Sequence, residues 1–515
     1  MMDNQVNEGN RSEGQNAYVI RKQPKTIERA NKMKSYISAA LLFAMILCSC
    51  GSGTTAGTPE SSTTKPDTSE TTANPLDDDL PEFNFGGEEF VMNALPAAVV
   101  SYVNVALDVE TETGDELNDA IYRRNRTLEE RFNFNLVIQE ELASRRDIYH
   151  NSVLADDNSF DVFMLVDREA LELAQEGMLT SYDKLEHINL EKPYWSQSMN
   201  QSLSICGNYY FAYSDFNLLP YDYTHMLVFN KQIIDDLQLE NPYELVMSGE
   251  WTFDAYASMA KQAIADLDGN SKMDGNDQYG LLAASKQVLP GFWIGAGELS
   301  IENNENDEPE FNLASDEHFV DVIESIFNIT LDNNSYYMNT ASNNNDTGAQ
   351  DMFKDGKGLF MDITFNGVTK LRDMNTNFGI IPYPKWDTAQ ENYYSRVEGG
   401  NVPMVPITSE KLEMTGVILE AMSSESAKTV IPAYYEKLLK GKVTRDDESM
   451  EMLDIIYGNR VYDLGDTYWC NTLRDGIFLQ MFNGNDRAVA SKIASVESTM
   501  KTQIQNTVEA FSKIN

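Results

Sequence analysis

The sequence predicts an α/β protein built on a parallel sheet covered by helices, and three observations carry this. Residues Asp161–Val166 (DVFMLV) form a nearly continuous apolar run, as a strand buried on both faces requires. Strand-like and helix-like segments alternate along the body of the chain. The last segment repeats its apolar side chains at intervals of three and four, the period of an amphipathic helix. At 515 residues and 42% hydrophobic, the chain can bury a large core; its length suits two or three domains or one two-lobed body.

The folded part opens with a strand at Glu89–Leu95. A helix is predicted from Asp115 to Phe132, with Leu117, Ile121, Leu128 and Phe132 on one face. Phe134–Gln139 is the next strand, Asp161–Val166 follows, and a helix near Arg168–Glu176 ends at Gly177 as its C-cap. Further strand-like runs are Tyr209–Tyr213, Met226–Phe229, Gly358–Ile363 and Phe378–Ile381. Val489, Ile493, Val496, Met500, Ile504, Val508 and Phe511 define a final helix of about 28 residues starting near Asp486. No internal repeat is found.

Composition narrows the partners. There are 81 acidic and 39 basic side chains, a net charge of −42, so phosphate backbones would be repelled and no nucleic-acid partner is expected. The first 49 residues read as an address. The apolar stretch Ile37–Leu47 is shorter than the ~20 residues of a bilayer span and follows Arg21, Lys22, Lys25, Arg29, Lys32 and Lys34. Leu47-Cys48-Ser49-Cys50 resembles a bacterial lipobox, which implies cleavage before Cys50 and diacylation of its sulfur; an ordinary signal peptide is the alternative. The basic region before it is long, and Met33 would itself be a normal start. Residues 51–80 contain 12 Ser or Thr in 30, with Pro59, Pro66 and Pro75, and read as a disordered tether over 50–82 whose Asp77-Asp78-Asp79 is solvated spacer. Cys206 and Cys470 remain, and either pair or stand as separate thiols.

An ordered series of short segments resembles the family 1 extracellular solute-binding proteins, the receptors of ABC importers. They are Asn84-Phe85-Gly86-Gly87, Thr113-Gly114-Asp115-Glu116-Leu117-Asn118-Asp119-Ala120, Arg123-Arg124-Asn125-Arg126, Glu129-Glu130-Arg131-Phe132 and Phe160-Asp161-Val162. Leu227-Val228-Phe229-Asn230-Lys231, Gly249-Glu250-Trp251-Thr252-Phe253 and Phe378-Gly379-Ile380-Ile381-Pro382-Tyr383-Pro384-Lys385 follow. The resemblance spans about 83–515. It implies a two-lobed periplasmic-binding-protein-like fold with a ligand cleft and hinge. By that analogy residues 83–222 and 364–408 form the first lobe, and 223–363 and 409–515 the second. It also implies a lipid-anchored monomer on the extracellular face of a bacterial cytoplasmic membrane. Such a receptor captures a mono- or oligosaccharide and delivers it to permease subunits.

Sugars expose C–H faces that aromatic rings cover, while polar groups take the hydroxyls. Under the resemblance the candidate ligand residues are Tyr221, Asp222 and Tyr223 at the first crossing between lobes, Trp251, and Trp293 in the Gly291–Gly297 loop. Asp362 near a return crossing, Arg396 and Trp469 complete the set. For each aromatic the alternative is core packing or a hinge contact; Trp195 and Trp386 are assigned to packing or surface. Residues 266–277 make a separate acidic loop. Asp266, Asp268, Asn270, Asp274 and Asp277 fall at positions 1, 3, 5, 9 and 12, with Lys272 offering its carbonyl at position 7, so that calcium, a hard cation seeking six to eight oxygens, is the expected structural ligand. Its spacing resembles the dockerin version of such loops, although Ser271 replaces the usual glycine at the sharp turn and Asp277 is shorter than the usual Glu. A solvated acidic turn is the alternative. Motifs GxSxG, HExxH, GxxxxGK[ST] and a post-strand GxGxxG are absent, and the histidines at 150, 187, 225 and 318 show no metal-like pairing. A non-enzymatic receptor is therefore expected. A surface glycan-active enzyme or lectin-like adhesin stays as the second reading, because a carboxylate pair of glycosidase type is not excluded by sequence.

Overall fold

The strands of the two main sheets, in chain order, are β1 (Glu88–Ala94), β2 (Phe134–Glu140), β3 (Val162–Val166), β4 (Leu179–Thr180), β5 (His225–Asn230), β6 (Tyr279–Leu282), β7 (Gly358–Thr364), β8 (Phe378–Ile381) and β9 (Asn401–Pro406). This is a computed structural model, and it describes residues 74–514 apart from 98–104, 143–144, 339–345, 372–373, 375 and 441–447. The signal segment, Cys48, Cys50 and residues 51–73 of the tether lie outside the described residues.

The first sheet has the order β2-β1-β3-β9-β4, and the second β8-β5-β7-β6. β1 pairs in parallel with β2, to which it is joined through the helix α1 (Glu116–Phe132), and with β3. Asp115 caps α1 by accepting from the Asn118 N–H, and Asn133 ends it in the left-handed conformation at φ 52°. The continuous apolar runs are buried on both faces. Val162 packs with Phe90 and Met92 on one side of the first sheet, while Phe163 and Leu165 enter the other core. In β5, Met226 and Val228 pack with Ile363 and Ile380, whereas Leu227 and Phe229 join Leu281, Phe360 and Ile381.

Helix α2 (Asp167–Gln175) follows β3 directly and ends before Gly177, whose φ of 73° suits glycine. The remaining helices used below are α3 (Phe253–Gln262), α4 (Ser285–Gly295), α5 (Leu412–Glu425) and α6 (Val489–Ile514). On α6 Val489, Ile493, Met500, Ile504 and Phe511 are buried. Among the described residues no helix is long and apolar enough to cross a membrane.

Several expectations are corrected. Residues 378–381, assigned to the first lobe, pair antiparallel with β5 and belong to the second sheet. The return crossing therefore runs from 382 to 400, not near Asp362, and Thr224 bridges Val397 beside the outgoing crossing. Helix α5, assigned to the second lobe, buries Met414, Val417 and Ile418 against Phe90 and Met92 of the first sheet. Tyr209–Tyr213 is not a strand: it makes a single antiparallel bridge, Phe211 to Met404. The tether also ends early. Leu76 and Leu80 pack on the first core, and Asp78 takes a two-pronged contact from Arg131 at 2.6 and 3.0 Å. The acidic triplet is thus partly a docked strap, because flanking leucines supply apolar area that the Ser/Thr-rich stretch lacks. Cys206 and Cys470 are both free thiols.

Candidate functional site

Two polar clusters meet where the crossings run between the sheets. The first begins at His225, the first residue of β5. Its Nδ1 lies 3.0 Å from Asp362 on β7, and Asp362 also accepts from the Tyr383 hydroxyl at 2.7 Å. The other ring nitrogen, Nε2, faces Glu398 at 3.4 Å. Glu398 in turn accepts from Lys286 Nζ at 3.1 Å and Gln287 Nε2 at 3.2 Å, both in the first turn of α4. Burial, the largest influence, and the nearby Arg396 depress the His225 pKa, but Asp362 and Glu398 together outweigh them and push it up to about 9. Burial opposes the charge on Glu398, yet His225, Arg396 and Lys286 hold its pKa well below the usual carboxylate range. Arg396 is fully buried and fork-bonded to Asp466 at 2.6 and 3.0 Å.

The second cluster surrounds Asp167, at the carboxyl end of β3. That is where open α/β sheets present residues to ligands. Its carboxylate is buried and accepts from the Tyr462 hydroxyl. Burial raises its pKa to about 6 despite that bond. Gly399 adopts φ 125°, and a Cβ there would stand 2.6 Å from the Asp167 carboxylate, so both backbone and space demand glycine. The hydroxyl of Tyr213 is buried nearby against Tyr462, and that of Tyr468 is buried without a hydrogen-bond partner among the described residues. An orphaned buried hydroxyl costs about 1–3 kcal/mol, so Tyr468 is primed for a polar ligand or water. Segments 395–400 and 460–469 run past both clusters, joined by the parallel pairing of Ser395–Arg396 with Arg460–Val461.

The sequence candidates are placed unevenly. Asp362 and Arg396 sit in the first cluster, each held by protein partners. Tyr223 is half-buried at the crossing, with its carbonyl accepting from the Glu398 N–H. Tyr221 is buried, bonds Asp215 at 2.7 Å and has the Arg460 guanidinium 3.9 Å over its ring. Asp222 accepts from Tyr434 and lines a small cavity with Leu95, Arg124, Asn217 and Asn401. Trp251 is fully buried and donates to the Pro382 carbonyl at 3.0 Å. Trp293 lies on a helix, not in a glycine loop: it donates to Asp463 at 3.0 Å and packs on Phe319 and Phe478. Gly291 and Gly295 let α4 approach Tyr383 rather than a ligand. Trp469 is buried beside Tyr468. Sequence reasoning missed His225, Glu398, Asp167, Tyr213, Tyr462 and Tyr468. Only Asp167 carried a usable signal, as the acid that closes the apolar run DVFMLV.

In the acidic loop, carboxylate oxygens of Asp266, Asp268 and Asp277 lie within 4.8 Å of one another. Asp274 is outside that trio; its backbone N–H donates to Asp277 at 2.7 Å. Ser271 takes the left-handed turn at φ 64° in place of glycine, and Asn270 accepts from the Lys272 N–H. Helix α3 approaches the loop and ends at Gln262.

No family model and no curated protein matches the chain. Among solved structures it is similar to UspC of M. tuberculosis, at 12% identity over 82% of this chain and all of that one, with a TM-score of 0.53. It is also similar to a cyclo/maltodextrin-binding protein complexed with maltotetraose, at 12% identity over 83% of this chain and 97% of that one, with a TM-score of 0.52. The fold is thus the two-lobed, periplasmic-binding-protein-like α/β fold.

Proposed function

We propose that this protein is a non-catalytic receptor that captures a carbohydrate between its lobes and hands it to an ABC permease. The observation that carries this is the Asp167 cluster. A buried carboxylate, the Tyr213 hydroxyl and the unpartnered Tyr468 hydroxyl stand at a strand's carboxyl end, beside the crossings of a fold built to open and close. A carboxylate accepts two sugar hydroxyls, the tyrosines bond others, and the rings of Tyr468 and Trp469 offer apolar faces. Asp362 and Arg396 act from the first cluster, bracing the crossings, with Tyr223 at its edge. Diacylated Cys50 anchors the chain to the outer face of the membrane, where a monomer meets its permease.

The test is titration calorimetry of residues 74–515 with maltose through maltotetraose, followed by long incubation and analysis of the sugar. One of these binds and is recovered intact, and Tyr468→Phe weakens it by about tenfold, the worth of one good hydrogen bond. Hydrolysis would favour the enzyme reading; no binding by any carbohydrate tried would remove the receptor-for-sugars reading.

The acidic loop is proposed as a structural calcium site distant from this chemistry. Its support is the convergence of Asp266, Asp268 and Asp277, with Asn270, the Lys272 carbonyl and Asp274 available to fill the shell. Calcium at millimolar concentration should raise the melting temperature of the wild type by a few degrees, and of Asp268→Asn by much less. Equal responses of the two proteins would refute the site.

A further inference from the structure

A second cluster of metal-binding type lies on the first lobe, away from both polar clusters of the crossings. Glu186, His187 and Glu413 come from two separate stretches of chain, and one ligand atom from each lies within 4.8 Å of the others. His187 Nε2 is shielded from solvent, has no hydrogen-bond partner, and stands 3.9 Å from Glu413 Oε1. A shielded imidazole nitrogen with nothing to bond is an unmet donor or acceptor, and two carboxylates beside it concentrate negative charge on the same point. Its ring is fixed by the edge-on contact with Phe83 at 4.9 Å and by a left-handed backbone at φ 75°.

We infer that Glu186, His187 and Glu413 form a binding site for a divalent transition metal, of which zinc is the best fit. One imidazole and two carboxylates are the mixed nitrogen and oxygen set that zinc accepts and that calcium, seeking oxygens alone, does not. Ligand atoms bound to zinc at about 2.0–2.2 Å stand roughly 3.3–3.6 Å apart in a tetrahedron. The present spacing closes to that by rotation of the two exposed glutamates, while the half-buried ring stays put. The metal ties the 186–187 turn to the first turn of α5 beneath Phe83 of the strap.

The experiment is calorimetric titration of residues 74–515 with zinc chloride in saturating calcium, with X-ray absorption of the zinc-loaded protein. Calcium occupies the 266–277 loop, so that zinc reports this cluster. The expected result is one zinc per chain at micromolar affinity with a shell of nitrogen and oxygen. His187→Asn, which tolerates the left-handed backbone, and Glu413→Gln should each weaken zinc at least tenfold. Glu413→Gln should leave the melting temperature of the metal-free protein unchanged. If either variant folds poorly, Glu186→Gln on an exposed side chain carries the same expectation. Absence of zinc uptake by the wild type, or uptake undiminished in the variants, overturns the site.

Discussion

Asp167 shows how burial sets a single side chain's charge against stability. Burial lifts its carboxyl from an ordinary 3.8 to about 6, only partly offset by the Tyr462 hydroxyl. A pKa raised on folding means that the folded state holds its proton more tightly. The associated stability is present in full below about 3.8 and is lost as pH rises through about 6. At pH 7.5 the wild type carries a buried charge costing up to about 3 kcal/mol. Asp167→Asn should therefore be more stable than the wild type at pH 7.5 by roughly 1–3 kcal/mol, with the gain gone at pH 4, while its sugar affinity falls. Urea unfolding at the two pH values, with calorimetry alongside, reads both effects. A variant less stable at pH 7.5 would show that the carboxylate is structural. His225 differs in that both its ring nitrogens already face protein groups, Asp362 on Nδ1 and Glu398 with Arg396 on Nε2.

At the scale of elements, helix α4 explains why glycines and a tryptophan that look like a binding loop are structural. A Cβ on Gly291 would stand 2.5 Å from Tyr383 Cζ, and Tyr383 is held in turn by Asp362. Gly291→Ala should destabilise the protein by about 2 kcal/mol through overpacking and displace Tyr383 from its carboxylate partner. Thermal unfolding together with Tyr383 fluorescence or proton-exchange measurements tests this; an unchanged midpoint would mean that the helix shifts freely. The strands were legible because their apolar runs are long and bounded, and both β5 and β7 extend the predicted spans by a residue or so at their ends. Tyr209–Tyr213 misled because alternating aromatics also suit an irregular segment buried on several sides. There, Tyr213 gives its backbone N–H to the Asn200 side chain instead of a neighbouring strand.

For the whole molecule, the strap from residue 74 ties the start of the folded chain to the first sheet through Leu76, Leu80, Phe83 and Phe85. Lys192 adds an ion pair with Asp79 at 2.6 Å. A chain starting at residue 86 should lose several kcal/mol relative to one starting at 74, since about 1 kcal/mol or more goes with each half-buried apolar side chain. Chemical denaturation of the two proteins measures it, and equal stabilities would return the strap to the tether. The two lobes also share more than the analogy allowed. The helix α1 places Leu117 and Ile121 in the second core and Leu128 and Phe132 in the first, so one helix braces both sheets.

The sequence by itself determined the α/β class, most strands, the two long helices and the acidic loop. Each of these is written in local period, turn residues or ligand spacing, and needs no distant partner to be read. Only the tertiary structure decided which strand joins which sheet, because β8 resembles any buried strand until it pairs with β5. It alone moved Trp251 and Trp293 into the core, since an aromatic side chain looks the same in a sequence whether it faces a ligand or a neighbour. It also assembled Asp167 with Tyr213, Tyr462 and Tyr468, and Glu186 and His187 with Glu413, across separations that reach 295 residues. Chemistry made by side chains so far apart is set by packing, and packing is decided by the whole chain at once.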